Sequence, residues 1–201
     1  MKKSLFLILI LLPILAWAAG PFDGTWKIDP SKIQYSGQKP LVLLLQNGVF
    51  ECTGCDTVAI KAKADGTDQP VVGSKDIDTI SVKIVGDKIT DSTAKKGGKV
   101  IDTIRNTISA DGKTSTIEYT IYPAAGKQPE IYKGIYARVA AGPPGSHAIS
   151  GSWQEKGFVF PEKYLIVTYK STPNGLVMSN PSGGSFDAKF DGKDYPIKGF
   201  T

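Results

Sequence analysis

The chain has little of what most enzymes use. It holds one histidine, two cysteines and two methionines in 201 residues, and all but two of its 24 basic residues are lysine. The single histidine, His147, lies in the Pro/Gly segment 141–147 with no carboxylate beside it to orient a general base, and reads as a solvated linker histidine. A zinc site at Cys52 and Cys55 would want two further ligands that the sequence does not supply at metal spacing, so no metal and no cofactor is expected. The lysines are scattered, and a formal charge of +5 without a basic stripe and interleaved aromatics gives nucleic acid no groove to follow. Ser92-Thr93-Ala94-Lys95 spells the S-x-x-K of penicillin-recognising serine enzymes but runs into Gly97-Gly98 rather than opening a helix. The carboxylate pairs Asp65/Asp68 and Asp76/Asp78 suit turn chemistry better than a glycosidase cleft. The expectation is a protein that is not an enzyme.

Helical periodicity is also missing, and only one long apolar run exists. Lys2-Lys3, the run Leu5–Leu15 and Ala16-Trp17-Ala18 form the basic, apolar and A-x-A parts of a secretory signal peptide over 1–18. The run is below the roughly twenty residues needed to span a bilayer, so no integral membrane segment is expected after cleavage. The protein is expected to be exported, to the periplasm or beyond. In that setting Cys52-Thr53-Gly54-Cys55 favours a structural disulfide. Free thiols, or a redox or metal role, are the alternatives.

What is present is two-residue alternation. Ile80, Val82 and Ile84 alternate with Ser81 and Lys83; Ile117, Tyr119 and Ile121 alternate with Glu118 and Thr120. Asn47-Gly48, Asp65-Gly66, Gly97-Gly98 and Asp111-Gly112 punctuate these runs with the residues of tight hairpins. The pattern predicts strands near 24–28, 41–46, 49–52, 58–64, 69–72, 77–85, 88–94, 99–109, 114–122 and 131–140, then near 149–155, 164–171, 175–179, 185–190 and 193–198. Strands so spaced, with no helix between them, predict an antiparallel up-and-down sheet that closes into a barrel. The run Leu41–Leu45 predicts a strand buried on both faces.

The chain also repeats itself. Gly24-Thr25-Trp26 recurs as Gly151-Ser152-Trp153 and Asn47-Gly48 as Asn174-Gly175, both at an offset of 127. Ala62–Gly73 recurs as Ala188–Gly199 at 126, with seven of twelve positions identical. A period of this length is a domain rather than a solenoid unit. The expected organisation is an all-β barrel over 19–140, a Pro/Gly linker over 141–147, and an incomplete second copy of about five strands over 148–201.

Phe22-Asp23-Gly24-Thr25-Trp26-Lys27 resembles the opening strand of the calycin group, the lipocalins and intracellular lipid-binding proteins. The wider set is similar to bacterial exported proteins with duplicated lipocalin-like domains: Gly24–Lys27, Ala64–Gly73, Lys95–Val100 and Ser109–Thr114. The resemblance implies that Trp26 plugs one end of the barrel and that Arg138, on the last strand of the first copy, stacks over it, a contact worth about 0.5–2 kcal/mol. The chain departs from the group in two ways. It has no room for a helical lid between 28 and 41, and the second copy has no strand to bring an arginine to Trp153. The function expected is non-catalytic binding of a small apolar or amphipathic ligand in the barrel, with Tyr136, Arg138 and Arg105 as candidate ligand-binding residues. The alternative is a structural or interaction protein of the cell envelope with a solid barrel core, forming a homodimer through the open strand edges of the half repeat.

Overall fold

Among the described residues, alternating side chains and tight turns produce fourteen strands. The computed structural model describes residues 20–34, 38–123 and 127–199. The expected signal peptide, 1–18, lies outside the described residues. Two units are distinguished: Lys27–Leu165, and a smaller one made of the segment ending at Trp26 together with the chain from Ile166 onward.

In the larger unit the strands are β2 (Leu41–Gln46), β3 (Val49–Thr53), β4 (Ile60–Lys63), β5 (Gln69–Pro70), β6 (Thr79–Gly86), β7 (Ile89–Lys96), β8 (Lys99–Ile108), β9 (Thr114–Ile121), β10 (Glu130–Ala141) and β11 (Gly151–Val159). They form one ten-stranded antiparallel sheet in the order β4-β3-β2-β11-β10-β9-β8-β7-β6-β5. Its two ends meet. The stretch from β4 to β5 pairs with β3 through Ile60–Lys63, then crosses to β6 through the Asp65–Lys83 bridge and the Gly66 N–H to Val82 carbonyl bond of 2.7 Å. The result is a nearly closed barrel, which leaves few unpaired edges. Hairpin chemistry sets the register: Asn47 and Gly48 both have positive φ, 52° and 74°, as a type I′ turn requires.

Inward positions build one core. Leu43 and Leu45 on β2, Phe50 and Cys52 on β3, Ile80 and Val82 on β6, Ile108 on β8 and Ile117 on β9 are buried together. Each fully buried aliphatic side chain contributes about 1.5–3 kcal/mol relative to exposure. The strand Leu41–Gln46 is not buried on both faces, as its composition suggested: Val42 points outward and is exposed.

The smaller unit is a four-stranded sheet in the order β1-β12-β13-β14, from β1 (Gly24–Lys27), β12 (Ile166–Thr172), β13 (Gly175–Ser179) and β14 (Ser185–Lys189). The last strand expected, near 193–198, reduces to a single bridge between Ser185 and Lys198.

The division differs from the expected one. The predicted barrel ended at 140 and opened with the strand of Trp26. Instead β11, from downstream of the Pro/Gly segment, lies between β10 and β2, and β1 pairs with β12. Nor is 141–147 a linker. It turns back onto the barrel, where the His147 N–H donates to the Leu45 carbonyl at 2.8 Å. His147 is likewise held: its Nδ1 accepts from the Ile149 N–H at 3.3 Å, so the proton sits on Nε2, which donates to the Gly86 carbonyl at 2.7 Å.

Candidate functional site

Trp153 is buried in the barrel core, 1 % exposed. Its Nε1–H donates to the Ile149 carbonyl at 2.8 Å. Arg138 stands opposite Trp153 in the β10–β11 register, with its guanidinium 4.1 Å from the ring centroid. The same guanidinium donates from Nε to the Gly112 carbonyl, from Nη1 to that of Ser150 and from Nη2 to that of Ala148, each at 2.6 Å. Burial pulls its pKa below the ordinary arginine value. The approach depends on Gly151, held at φ +138°: a Cβ there would lie 2.4 Å from the Ala140 carbonyl oxygen and 2.8 Å from Arg138 Nη1.

Trp26 is therefore not the stopper that the resemblance implied. It is 50 % exposed, and Arg138 lies over Trp153 instead. The reason is the strand order, which brings β11 rather than β1 next to β10. The two tryptophans nevertheless share a local geometry. Trp26 Nε1–H donates to the Phe22 carbonyl at 2.9 Å, again four residues back, and Gly24 has φ +133°.

Above Trp153 the barrel holds a cavity of about 730 Å³. Its wall is mainly apolar, with Leu43, Ile60, Ile80, Val82, Ile104 and Ile117 among the lining residues. Polar groups reach it from several strands: Thr53 from β3, Thr90 and Ser92 from β7, Asp102 and Asn106 from β8, Tyr119 from β9, Tyr136 from β10 and Glu155 from β11. The two phenols meet at 3.4 Å. Gly134 makes the Tyr136 position possible, since a Cβ there would be 2.6 Å from ring carbon Cε2. Deeper, Ser115 Oγ donates to Asn106 Oδ1 at 2.8 Å, which satisfies a buried polar pair. Burial pushes the Asp102 and Glu155 carboxyls up, and it pushes both tyrosines up as well. Asp102 Oδ1 is buried with no hydrogen-bond partner.

The expected ligand-binding residues separate. Tyr136 lines the cavity, whereas Arg138 is absent from its wall and is committed to three carbonyls and the Trp153 ring. Arg105 lies outside the barrel's lining, where Nε and Nη2 hold both oxygens of Asp91 at 2.8 and 2.7 Å. Its neighbours Ile104 and Asn106 take the inward positions, so a strand of period two sends Arg105 outward. Cys52 and Cys55 form the disulfide. Cys55 and Gly54 also line the cavity, so the bond fixes part of its wall. Among the described residues no group of three or more His, Cys, Asp or Glu is placed to hold a metal ion, and no helix is long and apolar enough to cross a membrane.

A string of rings runs from the cavity along the barrel: Tyr119 stacks on Phe158, Phe158 on Phe160, and Tyr132 meets both Phe160 and Tyr164. It ends at Glu130, which accepts from Lys163 Nζ at 2.6 Å, from the Tyr132 hydroxyl at 2.5 Å and from the Tyr164 hydroxyl. The lysine first, then the tyrosines, hold its carboxyl down at about 2. A carboxyl depressed in the folded state adds stability that is present above its unfolded value and lost as pH falls toward the folded one. Acid titration of unfolding free energy is therefore expected to lose this contribution between about pH 4.5 and pH 2. Glu130→Gln should flatten that part of the profile, and coincident curves for the two proteins would refute the assignment.

Comparison with protein-family models, curated proteins and solved structures finds no match.

Sequence reasoning did not find Asp102, Glu155 or Tyr119 as cavity groups. The signal for Tyr119 was present, since it is in phase with Ile117. Asp102 is in phase with Ile104 and Ile108, but apolar Val100 and Ile101 beside it blur the alternation. Glu155 is in phase with Trp153, in a segment that was assigned to a second copy.

Proposed function

We propose that this is an exported, non-catalytic protein of lipocalin-like type that carries one small apolar or amphipathic molecule inside the barrel. The observation that carries this reading is the 730 Å³ cavity, largely apolar, with Trp153 in its wall. Ligand pockets commonly measure about 300–1,000 Å³ and combine apolar walls with a few convergent polar groups. The Cys52–Cys55 bond supports an oxidising compartment. The test is titration of the protein with an apolar fluorescent probe such as N-phenyl-1-naphthylamine. Saturable 1:1 binding at micromolar concentrations is the expected result, and its absence would end the proposal.

The four-stranded sheet supports a second reading, that the chain contains a duplicated module with its opening strands exchanged. The G-x-W strand β11 begins the series β11-β2-β3-β4, and the G-x-W strand β1 begins the series β1-β12-β13-β14. The small sheet would then be half of a second barrel, and pairing of two chains through the open edge of β1 would be its role in the cell envelope. The cavity argues against the solid core once attached to that reading. Light scattering after size exclusion tests it: a dimer is expected, and a strict monomer at high micromolar concentration would remove it.

A further inference from the structure

We propose that the cavity selects a ligand whose polar head is a protonated amine, drawn by the Asp102 and Glu155 carboxyls and the Tyr119 and Tyr136 phenols of its wall. The inference rests on the carrier reading above and specifies its ligand class.

The charges around the cavity point one way. Its lining holds Asp102, Glu155, Asp56 and Asp76, and no arginine. Its one basic lining residue is Lys39, which is exposed and precedes β2. Asp56 is already engaged by the Ser74 and Thr57 hydroxyls at 2.8 Å each. Both arginines are spoken for, Arg105 by Asp91 and Arg138 by three carbonyls. A fatty-acid carboxylate entering here would meet like charge and no guanidinium.

The unpartnered Asp102 Oδ1 makes the requirement specific. A buried acceptor without a donor is costly, and more so when the group is charged. An ammonium brings three N–H donors and no acceptor, so it supplies the donor that Asp102 Oδ1 lacks. Both carboxyls help to push the Tyr119 phenol up, after burial and the Tyr136 hydroxyl. Its face and that of Tyr136 add the electron-rich surface that cations prefer. The aliphatic wall around Ile80, Val82 and Ile117 leaves room for the apolar body of the same molecule.

Competition against N-phenyl-1-naphthylamine tests the inference with three ligands of equal chain length, decylamine, decanol and decanoate. At pH 7.5 decylamine is expected to displace the probe at a concentration about tenfold below that of decanol, equivalent to about 1.4 kcal/mol, with decanoate weakest. Asp102→Asn and, independently, Glu155→Gln should each bring the amine-to-alcohol ratio toward one. Decanoate competing as well as decylamine would overturn the amine assignment while leaving the carrier reading intact. An unchanged ratio in both variants would also overturn it. Failure of the probe itself to bind would instead sink the carrier reading. Where a variant does not fold, the comparison of the three ligands on the natural protein decides alone.

Discussion

Trp153→Ala is expected to destabilise the barrel by about 3–5 kcal/mol, the range for a large aromatic removed from a packed interior. Trp26→Ala, at the matching position of the other G-x-W, is expected to change stability by only about 0.5 kcal/mol, as for an exposed site. The contrast follows from surroundings rather than sequence. Trp153 is 1 % exposed and lies beneath Arg138, whereas Trp26 is 50 % exposed. Both keep the indole bond to the carbonyl four residues earlier, so that bond cannot account for the difference. Urea unfolding followed by far-ultraviolet circular dichroism measures both losses without relying on the tryptophan removed. Equal losses, or a larger one for Trp26, would show that β1 seals the barrel and that the strand order is wrong.

The second large effect concerns Arg138. Arg138→Met keeps much of the side-chain length but leaves the carbonyls of Gly112, Ala148 and Ser150 without their donor. An abandoned buried acceptor costs about 1–3 kcal/mol. Solvent can reach part of this half-buried site, so the expected total is about 3–4 kcal/mol, including the lost contact with the Trp153 ring. Arg138→Lys is expected to recover little. A compact ammonium cannot span three acceptors that a planar fork reaches together. Arg105→Met removes the other arginine, whose ion pair with Asp91 is solvent-exposed, and should cost at most about 1 kcal/mol. The same unfolding measurement ranks the three variants. An Arg138→Met loss no larger than that of Arg105→Met would contradict the role given to the guanidinium.

Much of the fold was legible because its determinants are local. Side-chain alternation and paired turn residues such as Asn47-Gly48 act within a few positions. The predicted limits of β2 and β13 therefore coincide with the observed ones, and those of β3, β8 and β9 fall within a residue. Strand partnership is not local. Gly24-Thr25-Trp26 and Gly151-Ser152-Trp153 present the same glycine conformation and the same indole bond, so nothing within either motif says which sheet it joins. That decision rests on the fit of Trp153 beneath Arg138. The candidate site was hidden for a related reason. Asp102 and Glu155 keep the two-residue phase of Ile104 and Trp153, so period two gives their face. Which faces converge on one cavity depends on the order of distant strands. Tyr136 was found as a cavity residue, while the carboxyls that give the cavity its character were not.

The position of β11 has a consequence for how the molecule is made. β2 ends at Gln46, and its neighbour in the sheet begins only at Gly151. A chain emerging from its N-terminus first completes nine of the ten barrel strands before the one that joins their ends exists. Through that interval the inner faces of those strands are open to water and to other chains. Contacts between such distant segments also slow the final step. A chaperone that shelters aliphatic β-surface would therefore matter most until Gly151–Val159 has been made.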